Sequence, residues 1–180
     1  MRTPALALLA FALALPGHAQ GRKEAPAAKA QKAPRWDGEW SLAPEDSDAL
    51  EAAIEAHLQD QNFAMKLFWK KKLQKACQSW PSLDLTGGDA PSFLYGRELP
   101  VEFEPGATTT TWKRKDGERF QVRRSGEGGR LTLAFQGDGY ALEHAFTLRK
   151  DGETLAIQAT YTHPKLANPF TYKLVFKRNG

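Results

Sequence analysis

From residue 36 onward, apolar and polar positions follow two periods, and the order in which they change predicts the fold. Trp36, Gly38, Trp40 and Leu42 alternate with Asp37, Glu39 and Ser41, the two-residue period of a strand. Leu50, Ala53, Ile54, His57 and Leu58 then recur at helical spacing, and Asp48 to Glu51 has the spacing of a capping box. Asp60-Gln61-Asn62 interrupts this stripe. Met65, Phe68, Trp69, Leu73 and Ala76 begin a second one, which Pro81 brings to an end. A helical hairpin is expected here. Past Pro81 the pattern returns to alternation. Tyr140, Leu142, His144, Phe146 and Leu148 share one strand face, and Leu155, Ile157, Ala159 and Tyr161 share another. Phe170, Tyr172, Leu174 and Phe176 make a third. Asp116-Gly117, Asp138-Gly139 and Asp151-Gly152 are hairpin turns, because glycine accepts the positive φ such turns require. Strands joined by tight turns form an antiparallel meander, and closing it removes exposed edges. The expected class is mainly β: an up-and-down barrel of about eight to ten strands, with a helical hairpin after the first.

The N-terminal region follows neither period. Arg2 precedes the unbroken apolar run Ala5 to Leu15, and Pro16-Gly17-His18-Ala19 supplies a small-x-small cleavage site. The run falls short of the roughly 20 residues a membrane span needs. Residues 1–19 are therefore expected to be a signal peptide, with the chain exported to a periplasm or secreted. Residues 20–35, rich in Ala, Lys and Pro, cannot bury enough apolar surface to order themselves and read as a linker. Residues 36–180 form one domain.

Charge narrows the choice of partners. The net charge of +4 belongs to the N-terminal region, since residues 36–180 hold 19 Lys and Arg against 20 Asp and Glu. A near-neutral domain argues against nucleic acid. The basic linker, or the cluster Lys70, Lys71 and Lys72 beside Phe68 and Trp69, could make a weak contact with an anionic envelope surface. A plain solvated face is the commoner origin of such a run. The single cysteine, Cys77, has no internal partner, so it is either buried or paired between chains, with burial favoured.

The order strand, helical hairpin, long meander resembles the fatty-acid-binding proteins and, more loosely, the lipocalins. Trp36-x-Gly38-x-Trp40-x-Leu42 is similar to the Gly-x-Trp motif that opens the first barrel strand in both groups. The C-terminal half also resembles a group of small exported bacterial proteins, through Asp151-Gly152-Glu153-Thr154-Leu155 and Pro164-Lys165-Leu166-Ala167-Asn168-Pro169. That second likeness implies no activity. The lipocalin resemblance implies that Gly38, Trp40 and Arg178 close one barrel end, with Arg178 laid across Trp40. It also implies an apolar or lipid-like ligand. Fatty-acid-binding proteins hold a ligand carboxylate with an Arg-x-Tyr pair on the last strand, whereas this chain has Thr171-Tyr172-Lys173.

Catalysis finds no support in the pattern. His57, His144 and His163 show no metal-ligand spacing, Cys77 has no CxxC partner, and Ser125 lacks a nucleophile-elbow frame. No cofactor, metal or enzyme activity is expected, and the chain is expected to be monomeric. His144 stands out because it falls on an apolar strand face. It reads either as a polar anchor in a lumen or as a core histidine bonded to a hydroxyl such as Tyr161 or Tyr172. If the barrel keeps a cavity, His144, Tyr161, Tyr172, Phe146 and Phe170 are the candidate ligand contacts. If side chains fill it, the chain is an envelope interaction or structural protein.

Overall fold

A computed structural model describes residues 35–127 and 129–180, with Glu127 described by its backbone alone. The expected signal peptide, and the expected linker up to residue 34, lie outside the described residues. The elements are β1 (Gly38–Leu42), a 3-10 turn (Pro44–Asp46), α1 (Leu50–His57) and α2 (Phe63–Ala76). There follow β2 (Ser82–Thr86), β3 (Ser92–Tyr95), β4 (Val101–Glu102), β5 (Thr109–Lys113) and β6 (Arg119–Glu127). The chain ends with β7 (Arg130–Gln136), β8 (Ala141–Leu148), β9 (Thr154–Thr162) and β10 (Phe170–Arg178). All ten strands belong to one antiparallel sheet, in the order β4-β3-β2-β1-β10-β9-β8-β7-β6-β5. The two end strands, β4 and β5, lie side by side without a ladder, so the barrel is closed but for one seam.

Register explains the interior. Leu142 faces Phe135 and Tyr161, and His144 faces Leu133 and Ala159. Phe146 faces Leu131 and Ile157. Each strand's apolar face thereby points inward, as the alternation predicts. Gly117, Gly139 and Gly152 have φ of 92°, 78° and 73°, which fits the expected hairpin turns.

The helices depart from the sequence reading in three details. Asp48 does not cap α1. The N-cap is Ala49, without a side-chain bond, while the Asp48 carboxylate accepts from Lys173 N at 2.6 Å and Asp48 N donates to Lys173 O. The acid stitches the helix entrance to β10. In α2, Asn62 does cap, its Oδ1 accepting from Met65 N at 3.0 Å. The buried stripe of α2 is shorter than its apolar residues imply: Trp69, Leu73 and Ala76 are buried, whereas Phe63, Met65, Leu67 and Phe68 face solvent. Only the later turns of α2 reach the barrel. The helix ends at Ala76, ahead of Pro81, because the Tyr172 hydroxyl engages both the N–H and the C=O of Gln78 and holds them off the helical path.

Ring contacts locate the helices at one barrel end. His57 meets Phe170 at the start of β10, and Trp69 meets His163 in the β9–β10 turn. Arg114 Nη1 in the β5–β6 turn donates to Ala76 O. Among the described residues, no helix covers the opposite end, ringed by the β2–β3, β6–β7 and β8–β9 turns and the β4–β5 loop.

Candidate functional site at the open barrel end

The middle of the barrel is built from rings. His144 sits with its centroid 4.8 Å from Phe135, 5.2 Å from Trp80 and 5.4 Å from Tyr95. Its Nδ1 lies 3.1 Å from the Tyr95 hydroxyl. The partner is thus Tyr95 on β3, across the barrel, and neither of the two tyrosines expected from sequence. Tyr172 is already committed to Gln78, and Tyr161 stacks on Tyr140. Burial pushes the His144 imidazole down to about 3, so the ring is neutral. Burial also raises the Tyr172 and Tyr95 hydroxyls, and lifts the Cys77 thiol to about 12. Among the described residues, no buried side-chain polar atom lacks a hydrogen-bond partner. His144, Tyr161, Tyr172, Phe146 and Phe170 are all buried in this packed interior. The polar groups of His144 and Tyr172 are met by protein, and none of the five lines the cavity of about 400 Å³.

That space is at the open end. Here Arg178 closes one side: its guanidinium carbon lies 4.2 Å from the Trp40 ring centroid. Its nitrogens donate to the carbonyls of Gly152 at 3.1 Å, Arg35 at 2.7 Å and Asp37. Gly38 makes the approach possible. Its φ is +135°, and a Cβ there would fall 2.7 Å from Arg178 Nη1. Gly38, Trp40 and Arg178 form one unit.

Beside this closure a cavity of about 400 Å³ opens between the β2–β3 turn, the β4–β5 loop and the β6–β7 turn. Its apolar walls are Trp36, Leu85, Phe93 and Leu131, and Arg124, Ser125 and Arg130 line its rim. Gly87, Gly88 and Gly126 also line the cavity, and a Cβ on Gly126 would sit 2.7 Å from Arg130 O across the hairpin. Arg124 continues the inward row of β6, where Phe120 and Val122 are buried and Arg124 pairs in register with Leu133. Its Nε donates to Ala107 O at 2.8 Å, and its guanidinium lies 5.4 Å from the Phe103 centroid. Sequence reading passed over this residue. The readable signal was a cation at an inward position of the alternation Phe120, Val122, Arg124.

The remaining candidates are dispersed. Among the described residues, no three His, Cys, Asp or Glu side chains are placed to hold a metal ion, and no helix is long and apolar enough to cross a membrane. Lys70 is ion-paired with Glu55, Lys72 lies over Phe68 at 5.3 Å, and Lys71 is exposed. Cys77 is buried and free.

No family model matches the sequence, and no curated protein matches it. Solved structures do. A REP1-NXSQ fatty acid transporter superposes with a TM-score of 0.50 at 13% identity, covering 80% of this chain and 96% of that one. A Schistosoma mansoni fatty acid binding protein in complex with arachidonic acid gives 0.50 at 17% identity over 80% and 96%. A secretary abundant heat soluble (SAHS) protein from Ramazzottius varieornatus gives 0.52 at 12% identity over 80% and 95%. With ten antiparallel strands, a helical hairpin after the first and a Gly-x-Trp opening, the chain has the fold of the lipocalin and fatty-acid-binding protein superfamily.

Proposed function

We propose that the chain is an exported, non-catalytic binding protein for a small apolar or amphipathic molecule, held in the open mouth of its barrel. One observation carries the reading: the cavity of about 400 Å³ walled by Trp36, Leu85, Phe93 and Leu131. It falls within the usual size of small-molecule sites, which are mostly apolar with a few polar groups. Two of the similar structures are a fatty acid transporter and a fatty acid binding protein, which supports a ligand of this general kind. The non-catalytic part rests on the suppressed chemistry of the interior. His144 is walled in and neutral, and the Cys77 thiol is held in its protonated form. Export rests on the sequence pattern of residues 1–19.

The test is binding of Nile red, a neutral apolar dye, to residues 35–180. Its emission should shift to the blue on binding at micromolar concentration. Leu131→Glu, which puts a charge into the apolar wall, should weaken binding about tenfold or more. Nile red emission unchanged by the wild-type protein would sink the reading and leave the filled-barrel interaction protein in its place.

A further inference from the structure

We infer that the mouth takes a compact organic anion, its oxyanion head on Arg124 and its apolar body against Trp36, Phe93 and Leu131. The inference rests on the binding reading above and names the ligand's chemistry. Charge is the first support. Among the described residues, the cavity lining includes two arginines and no acidic side chain. No carboxylate among the described residues is ion-paired with Arg124, whereas Lys66, Arg114 and Lys177 each pair with one.

Placement is the second support. Arg124 occupies an inward row whose other members are apolar, in a barrel that otherwise fills this row with Phe120 and Val122. Arg124 is half-buried there, so it gives up part of its hydration and needs something to offset the loss. The protein offers the Ala107 carbonyl to Nε and the Phe103 ring to the flat face. Both contacts fix the guanidinium in position, and neither neutralises it. A fixed, planar, uncompensated guanidinium suits two-point recognition of a carboxylate or sulfonate.

Depth is the third. The cavity floor is Leu85 and Phe93, and behind it lie Phe103 and Phe146, 6.1 and 5.9 Å from Phe93 by ring centroid. The rings block passage toward His144. At roughly 30 Å³ per water, the cavity holds on the order of a dozen waters. With its inner end closed by rings, it suits a short or bicyclic body better than an extended chain.

The test compares naphthalene-2-carboxylate, naphthalene-2-sulfonate, the neutral naphthalene-2-carboxamide and palmitate by calorimetry at low salt. Either or both acids should bind at least about tenfold tighter than the amide, the worth of one charge-assisted hydrogen bond. Arg124→Gln should bring acid and amide to similar affinity, and Arg124→Lys should restore part of the difference. Palmitate should bind no tighter than the naphthoate. Equal binding of acids and amide by the wild type would overturn the anion assignment, yet leave the apolar-binding reading intact so long as amide and Nile red still bind. A preference untouched in folded Arg124→Gln would overturn the role of Arg124. Palmitate binding about tenfold tighter than the naphthoate would overturn the compact-ligand assignment. The wild-type comparison of acid with amide decides the charge question even if the Arg124 variants fail to fold.

Discussion

His144 shows how a single titratable residue can couple a packed barrel to pH. The folded chain keeps the imidazole neutral down to about pH 3, whereas the unfolded chain protonates it near 6.5. Between those values the unfolded state takes up a proton that the folded state refuses, so stability falls as pH drops. The slope approaches about 1.4 kcal/mol per pH unit. Glu55 and Asp116, each held near 2 by hydrogen bonds to lysines or to Arg114, act in the same direction, but only below their ordinary carboxylate range. Urea midpoints measured from pH 6.5 to 5 should therefore decline more steeply in wild type than in His144→Gln, where the lowered His163 leaves a smaller slope of the same sign. An equal decline in both proteins would place the acid sensitivity elsewhere. Gly38 offers a second residue-scale check. Gly38→Ala combines an unfavourable φ with a clash on a guanidinium pinned by three carbonyls, and should cost about 1–3 kcal/mol. In combination with Arg178→Ala the cost should be less than the sum of the two, since one change removes the other's clash.

Among elements, the joint between α2 and the β5–β6 turn is held by a buried cation. Arg114 reaches Asp116 Oδ2 at 2.6 Å and Glu118 Oε2 at 2.8 Å, and donates to Ala76 O at the end of α2. Tyr140 donates to the other oxygen of Glu118 at 2.7 Å, bringing the β7–β8 hairpin into the same network. Arg114→Met should destabilise by about 2 kcal/mol. That is below the loss for a fully buried pair, because water reaches Asp116. Amide exchange should rise first in residues 73–77. Exchange rising uniformly over the barrel would mean that Arg114 does not hold the helix specifically. This joint was not legible in the sequence. Arg114 was one basic residue at a hairpin, and its partner on α2 is a backbone carbonyl that no residue type announces. The strands were legible because burial imposes a two-residue period that a slip in register would destroy. The Tyr95 partner of His144 was not, because contacts across a barrel depend on its curvature. Nor was the mouth cavity, whose lining includes Gly87, Gly88 and Gly126 and brings together residues far apart in the chain.

At the scale of the molecule, the seam and the junction of first and last strands fall at different places on the wall. Strand order follows sequence order everywhere except between β1 and β10, which pair through Trp40–Arg178 to Leu42–Phe176. The C-terminal end is tied in beside β1, with Asn179 N donating to Glu39 O at 2.9 Å. The gap in the hydrogen-bonded order falls instead at the β4–β5 loop, residues 103–108, next to the proposed site. Backbone connectivity and ladder connectivity are thus broken at two different places on the wall. Moving the first break onto the second would give a chain that runs from Ala107 through Gly180, crosses a short linker to Arg35, and ends at Gly106. Its ten strands would then follow one another in sequence from one sheet edge to the other, leaving the seam as the sole discontinuity. Such a circular permutant should keep the far-ultraviolet dichroism of the original, and it should fold no more slowly, since the pairing of β1 with β10 becomes local. Failure of the permutant to fold would show that the loop 103–108 supports the barrel as a covalent bridge. Success would make the seam a wall that can be opened on purpose, with the ligand mouth at its edge.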